Sequence, residues 1–199
     1  METNLDKQEF ITESLQESSQ TKLNMLESCS SKLIQAVDAL VDAYKNKKKL
    51  LLCGNGGSAA DCQHIATELM IRLNHHIQRP ALAAIALTTD TSNLTAGGND
   101  IGYDNVFARN VEGLGNEGDV LLAISTSGNS ANVIKAVDKA HEHGMKVIGF
   151  LGGTGGKLKP MVDVAVVIPS SNTQRIQEGH ITAAHILCEL TEQELYGEK

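Results

Sequence analysis

Two stretches of the chain combine glycine, hydroxyl and amide side chains as an anion site requires. They are Cys53-Gly54-Asn55-Gly56-Gly57-Ser58 and Ser125-Thr126-Ser127-Gly128-Asn129-Ser130. Glycine lets the backbone approach an anion closely. A helix starting directly after such a stretch offers unpaired N–H groups and a partial positive charge. Ser125, Thr126, Ser127 and Ser130 add hydroxyl donors, so a phosphate can be cradled there without a lysine. The plainer explanation is turn and helix-cap chemistry, for which Ser and Asn are favoured anyway. Two such loops in one chain tip the balance toward a ligand. Neither is a Walker A loop, because the closing Gly-Lys-Ser/Thr is missing, and neither completes the Gly-x-Gly-x-x-Gly dinucleotide pattern.

Proton-transfer and metal-binding groups follow the first loop. His64 and Glu68 are four apart, so on a helix they share a face. Such a pair is more often a surface pair than a site. Near the C-terminus, Gln177 and His185 point in similar directions on a helix but sit about 12 Å apart along it. One metal ion with bonds near 2 Å cannot easily take both from a straight helix. Three explanations stand: the helix bends or begins late near Gly179, the two belong to sites built from different subunits, or only one is a ligand. His75, His76, His141 and His143 read as solvated or helix-end histidines, and His180 stays open. A carboxylate and an imidazole suffice to move a carbonyl between neighbouring sugar carbons. A divalent metal would polarise that carbonyl.

The elements that must position these groups can be read from hydropathy. Five short apolar runs, Lys49–Cys53, Ala81–Leu87, Asp119–Ile124, Lys146–Leu151 and Asp163–Ile168, are continuous, not alternating. That suits strands covered on both faces. Helical segments Ala59–Leu73, Asp104–Gly113 and Asn132–Gly144 separate most of them, and a last helix spans about Arg175 to Leu195. The alternation predicts an α/β fold: a five-stranded parallel doubly wound sheet flanked by helices. Residues 7–46 carry Leu23, Leu26, Leu33, Val37, Leu40, Val41 and Tyr44 at helical spacing and predict one long or two shorter helices as an N-terminal extension. Flexible points are expected in the first few residues, at Gly152–Gly156 and in the last few. Ligands of such sheets bind beyond the carboxyl ends of the strands, where both loops fall.

Composition narrows the partners. The 199 residues fit one domain, 1–199. A net charge of −7 and 3% aromatic residues argue against a nucleic-acid partner. No apolar run is long enough for a membrane span, and METNLDKQEF is not a secretory signal, so a cytoplasmic location is expected. Cys29, Cys53, Cys62 and Cys188 form no CxxC pair and read as reduced thiols.

Four segments, CGNGGSAADCQHIATEL, LTAGGNDIGYDNVF, GDVLLAISTSGNSANVIKA and RIQEGHITAAH, together resemble the phosphoheptose isomerase family of the sugar isomerase (SIS) fold. The resemblance runs from about residue 10 to 195. STSGNSANV is a signature of the wider fold, while His–x3–Glu and RIQ…His narrow it to this family. It implies isomerisation of D-sedoheptulose 7-phosphate to D-glycero-D-manno-heptose 7-phosphate through an enediol, early in bacterial ADP-/GDP-heptose biosynthesis. By motif match, Glu68 is the base and His185 the acid. His64, Glu68, Gln177 and His185 match zinc ligands, one Zn2+ per subunit. Ser125, Thr126, Ser127 and Ser130 match the phosphate loop, and Asn55, Gly56, Gly57, Ser58, Glu68, Asn99, Asp100 and Gln177 complete the substrate contacts. A homotetramer with active sites at subunit interfaces is also implied, which would answer the Gln177–His185 spacing. Two positions depart from the family pattern: Ala59 stands where a histidine is common, and Gly179 where a bulkier residue is expected before His180. Two competing expectations are a non-catalytic SIS protein that binds a replication initiator, and an isomerase or sensor for another phosphosugar.

Overall fold

A computed structural model describes residues 6–197. The expectations for the first and last few residues lie almost wholly outside that range. The chain forms helices α1 (Lys7–Lys45), α2 (Gly57–Met70), α3 (Thr91–Asp100), α4 (Val106–Leu114), α5 (Ala131–Glu142) and α6 (Thr173–Tyr196). The strands are β1 (Leu50–Gly54), β2 (Ala84–Ala86), β3 (Val120–Ser125), β4 (Lys146–Gly152) and β5 (Val164–Ile168). All pair in parallel, in the order β2-β1-β3-β4-β5.

The continuous apolar runs are explained by what covers the sheet. Successive strand residues face opposite sides. Leu50, Leu52, Leu122, Ile148 and Phe150 meet α1, α2 and α6 in one core, while Leu51, Cys53, Leu121, Ala123 and Val147 meet α4 and α5 in the other. Every residue of β1 and β3 is buried. Burying a Leu or Ile on either face stabilises by about 1.5–3 kcal/mol, so neither face admits polar alternation.

Strand order sets the site. The chain moves outward from β1 to β2, then returns to place β3 on β1's other side. Gly54 at the end of β1 is in register with Ile124 near the end of β3. The two glycine- and serine-rich loops therefore leave the sheet side by side at its switch point. A cleft of about 550 Å³ lined by Asp38, Asp42, Lys146 and Asp163 lies at the opposite, amino ends of the strands.

The structure corrects several boundaries. The Ala81–Leu87 run is a strand only over Ala84–Ala86, a short edge. The N-terminal region is a single helix of 39 residues. Helix α3 was not expected, because TSNLTAGGND has no apolar period and none of its residues is buried. It is started by Asp90, whose carboxylate accepts from Asn93 N–H. Gly152–Gly156 is pinned, not loose: Gly155 backbone packs against Gly128, and Gly153 N–H donates to Ile168 and Ser170 carbonyls. Gly179 leaves α6 unbroken; its bare backbone rests on Ile168, where a Cβ would overlap that side chain.

Candidate active site

The first loop begins where β1 ends. Gly56 has φ +55°, a left-handed conformation that disfavours other residues, and it starts α2. The amide end of the Gln177 side chain lies directly against Gly57, so α6 and α2 meet at this point. Ser58 is buried, packed under Gly54. Asn55 faces the second loop: its Nδ2 donates to Asn132 Oδ1 (2.8 Å), and its Oδ1 accepts from Asn132 Nδ2 (2.9 Å) and Tyr103 Oη (3.0 Å). With Oδ1 taken twice and one N–H used, the remaining Asn55 N–H is the group left to donate outward.

In the second loop the serine at the helix-cap position does not cap its helix. Helices α1, α3 and α6 are capped by the side chains of Asp6, Asp90 and Asn172. The helices after the two loops, α2 and α5, have no side-chain cap, and neither does α4, where Asn105 stands at the cap position. Ser130 stands at the cap position of α5, yet its Oγ lies 3.0 Å from Ser125 Oγ. At the start of α5 the first backbone donor with a partner is Val133, which leaves the Ala131 and Asn132 N–H groups open, whereas in α2 Ser58 and Ala59 N–H already donate to the Asn55 and Gly56 carbonyls. Gly128, at φ +66°, carries the loop's close approach to Gly155, and its carbonyl accepts from Leu158 N–H (3.0 Å). Ser127 Oγ accepts from Asn129 N–H (3.2 Å), and Asn129 Oδ1 accepts from Lys157 N–H (3.1 Å). Thr126 lies half-buried between them.

Helices α2 and α6 lie side by side and parallel, since Gly57 meets Gln177 and, one stretch further along both, His64 meets His185. That register brings three of the expected groups together. His64 Nε2 is 3.0 Å from Glu68 Oε1 and 3.3 Å from His185 Nε2. One ligand atom from each residue falls within 4.8 Å of the others, a set that could hold a metal ion. Gln177 does not join it within this chain: its amide lies on Gly57, eight residues before His185 on a continuous helix. A helix that begins late, near Gly179, is therefore not the answer to the spacing, because α6 already starts at Thr173. Asn99 and Asp100, at the exposed end of α3, hydrogen-bond to each other (2.7 Å) and not to either loop. A groove of about 420 Å³ beside His185 is lined by Leu73, Asn74, His75, His76 and Glu189.

Electrostatics removes some contenders. Burial pushes the Cys53 and Cys188 thiols up to about 12, and raises those of Cys29 and Cys62. None is a ready thiolate. His180 is buried against Phe150, with Nε2 3.0 Å from the Leu151 carbonyl oxygen; burial lowers it to about 4 and keeps it neutral. It is a packing histidine. Asp61, one turn before His64, is raised by burial against the pull of His64, and its Oδ2 has no hydrogen-bond partner.

Sequence reasoning missed the groups that hold the site. Tyr103 and Asn132 orient Asn55, and Arg79 pairs with Glu192 between α2 and α6. Those partners are 48, 77 and 113 residues apart, beyond the reach of any local pattern.

The SIS domain family matches residues 15–152. The chain is 49% identical over 189 residues to a phosphoheptose isomerase of Pelodictyon phaeoclathratiforme, covering 94% of this chain and 90% of that one. It is 54% identical over 167 residues to the phosphoheptose isomerase of Helicobacter pylori, covering 84% and 86%. Among solved structures, the phosphoheptose isomerase of Neisseria gonorrhoeae is similar at TM-score 0.88 and 46% identity, covering 94% of this chain and 98% of that one. The one from Francisella tularensis is similar at TM-score 0.91 and 39% identity, covering 95% and 100%. With this likeness along nearly its whole length, the chain belongs to the phosphoheptose isomerase family, built on the SIS domain.

Proposed function

We propose that this chain, as one SIS domain over residues 1–199, isomerises D-sedoheptulose 7-phosphate to D-glycero-D-manno-heptose 7-phosphate for heptose biosynthesis in the cytoplasm. The observation that carries the proposal is the meeting of His64, Glu68 and His185 on two helices, one of which starts at the first anion loop. A protein that only binds has no need of a carboxylate and two imidazoles in one cluster.

The phosphate sits on the hydroxyls of Ser125, Thr126, Ser127 and Ser130 and the open N–H groups of α5. Asn55, Gly56, Gly57 and Ser58 hold the sugar from the first loop. Glu68 takes a proton from C1 of the ketose. Electrons of that C–H bond form the C1–C2 double bond of an enediol as the C2 oxygen gains a proton from His185. Loss of the O1 proton then re-forms a carbonyl at C1, and a proton returned to C2 gives the aldose. Glu68 Oε1 faces His64, which leaves Oε2 to carry the proton. Microscopic proton balance is closed within the Glu68–His185 pair.

The cluster fits a zinc ion. Ligand bonds of about 2.0–2.1 Å at tetrahedral angles set neighbouring ligand atoms about 3.3–3.4 Å apart, and the two Nε2 atoms stand at 3.3 Å. His64, Glu68 and His185 would hold it, and when bound it would polarise the substrate carbonyl. Gln177 enters as a fourth ligand and substrate contact from another subunit, and Asn99 and Asp100 contact substrate in the same way. We place these sites at the interfaces of a homotetramer, because Gln177 lies eight residues from His185 along α6, and Asn99 and Asp100 bond to each other at an exposed helix end.

The test is turnover of sedoheptulose 7-phosphate by the purified protein, after chelation and again with added zinc. Aldose should form, fall at least tenfold on chelation and return with zinc. No turnover in either state removes the isomerase assignment, and full turnover after exhaustive chelation removes the metal.

A further inference from the structure

Arg79 and Glu192 form an ion pair whose side chains are 1% and 0% exposed. Glu192 Oε1 accepts from Arg79 Nε (2.7 Å) and lies 2.6 Å from Nη2. The same carboxylate accepts from the backbone N–H groups of Leu73 (3.2 Å) and Asn74 (3.0 Å). Arg79 in turn donates from Nη2 to the Glu68 carbonyl and from Nη1 to the Leu69 carbonyl, both at 2.8 Å. All of these groups lie between α2 and α6, just past the His64–Glu68–His185 cluster.

The chemistry of the helix end explains why a cation belongs there. The last carbonyls of a helix lack intrahelical partners and carry partial negative charge. Helix α2 has no basic residue in its own last turn. Arg79, arriving from the following loop, supplies that charge. One of the carbonyls it holds is that of Glu68, so the guanidinium grips the backbone of a cluster residue directly. Glu192 stands seven residues after His185, two helical turns on the same face of α6. The pair therefore locks α2 to α6 at one axial register. His64 and Glu68 ride on α2 and His185 on α6, so that register sets the 3.3 Å separation of the two Nε2 atoms. A slip of half a turn, about 2.7 Å, would open the cluster.

We infer that Arg79 and Glu192 are positioning residues for the His64–Glu68–His185 cluster, and not merely a buried brace. Neither touches substrate. The inference rests on the proposed metal-assisted isomerase site, and it concerns how well that site is pre-assembled. Removing a partner that directly orients a metal's ligand side chains typically weakens metal affinity or activity 10–100-fold, and Arg79 acts one step further back, on the Glu68 backbone. A role in stability alone predicts something different, because a buried ion pair can be replaced by apolar residues of similar volume without loss of folding.

Two variants separate the outcomes: Glu192→Gln, and the double replacement Arg79→Met with Glu192→Leu. For each, thermal unfolding, zinc affinity by competition with a chromophoric chelator, and kcat and KM for sedoheptulose 7-phosphate would be measured below the unfolding range. Both should weaken zinc affinity at least tenfold and lower kcat by a similar factor. KM should change less than about threefold, because the phosphate loop on α5 is untouched. Should the double variant fail to fold, Glu192→Gln carries the same expectation alone. A folded variant with wild-type zinc affinity and wild-type kcat overturns the inference. Wild-type protein that binds no zinc and turns over nothing would instead overturn the site assignment, and the inference with it.

Discussion

His64, Glu68 and His185 illustrate how little separates an ordinary surface pair from the proposed acid–base site. His64 and Glu68 alone are a helical i, i+4 contact of the kind found on many exposed helices. The third group, brought by α6, changes what the set can do. Glu68→Gln and His185→Gln keep side-chain size and remove the proton-carrying function. Each should fold with an unchanged circular dichroism spectrum and lose about 10²–10⁴-fold in kcat. Near-normal turnover in either variant would take that residue out of its assigned role. At the proposed phosphate loop, the Ser130 hydroxyl could have capped its own helix and instead meets Ser125.

At the scale of elements, β4 and α6 meet through His180, which presses on Phe150 and hydrogen-bonds at the Leu151 carbonyl. Its folded value of about 4 lies below the ordinary histidine value near 6.5. The sign follows: below pH 6.5 the unfolded chain takes up a proton that the folded chain refuses. The stability contribution is complete above about pH 6.5 and is lost as pH falls toward 4. The full loss is about 3 kcal/mol by linkage. Urea midpoints measured from pH 7 to pH 4 should fall more steeply for the wild type than for His180→Gln. Parallel profiles would mean that His180 titrates normally. A neighbouring strand–helix contact explains Gly179, since a Cβ there would overlap Ile168 of β5 and disturb the seating of α6.

For the whole molecule, α1 is the outlying feature. Its 39 residues extend about 58 Å. Leu33, Val37 and Leu40 are buried on the sheet, but Phe10, Ile11, Leu15, Leu23 and Leu26 are 52–68% exposed. Apolar side chains gathered on one projecting element mark an interaction surface. With α3 having no buried residue of its own, these surfaces suit the subunit contacts of the proposed tetramer. Replacing Leu15 and Leu26 together by Glu should lower the sedimenting mass from a tetramer to a smaller species and abolish turnover. A wild-type protein that sediments as a monomer would remove the shared sites. No described helix is long and apolar enough to cross a membrane.

Much of this architecture could be read locally. Buried parallel strands show as unbroken apolar runs, and a strand–loop–helix junction shows as glycine and serine between a strand and an apolar helical period, so β1, β3, both loops and α2, α5 and α6 were legible. His64 and Glu68 were legible as a pair because a helix is a short-range object with a known pitch. Helix α3 was not, because TSNLTAGGND has no apolar face to announce it. Nor was the range of β2, an edge strand preceded by the exposed Ala81 and Ala83 and the buried Leu82, whose apolar character continues the run beyond the strand. The meeting of His64 with His185, of Asn55 with Asn132 and of Arg79 with Glu192 depends on the strand order and on the parallel packing of α2 against α6. Hydrophobic burial drives that packing and is non-directional; the polar contacts that choose one register among many join residues 77 to 121 positions apart. Spacing along a chain records the pitch of one helix, whereas the distance between two helices exists only once both are packed.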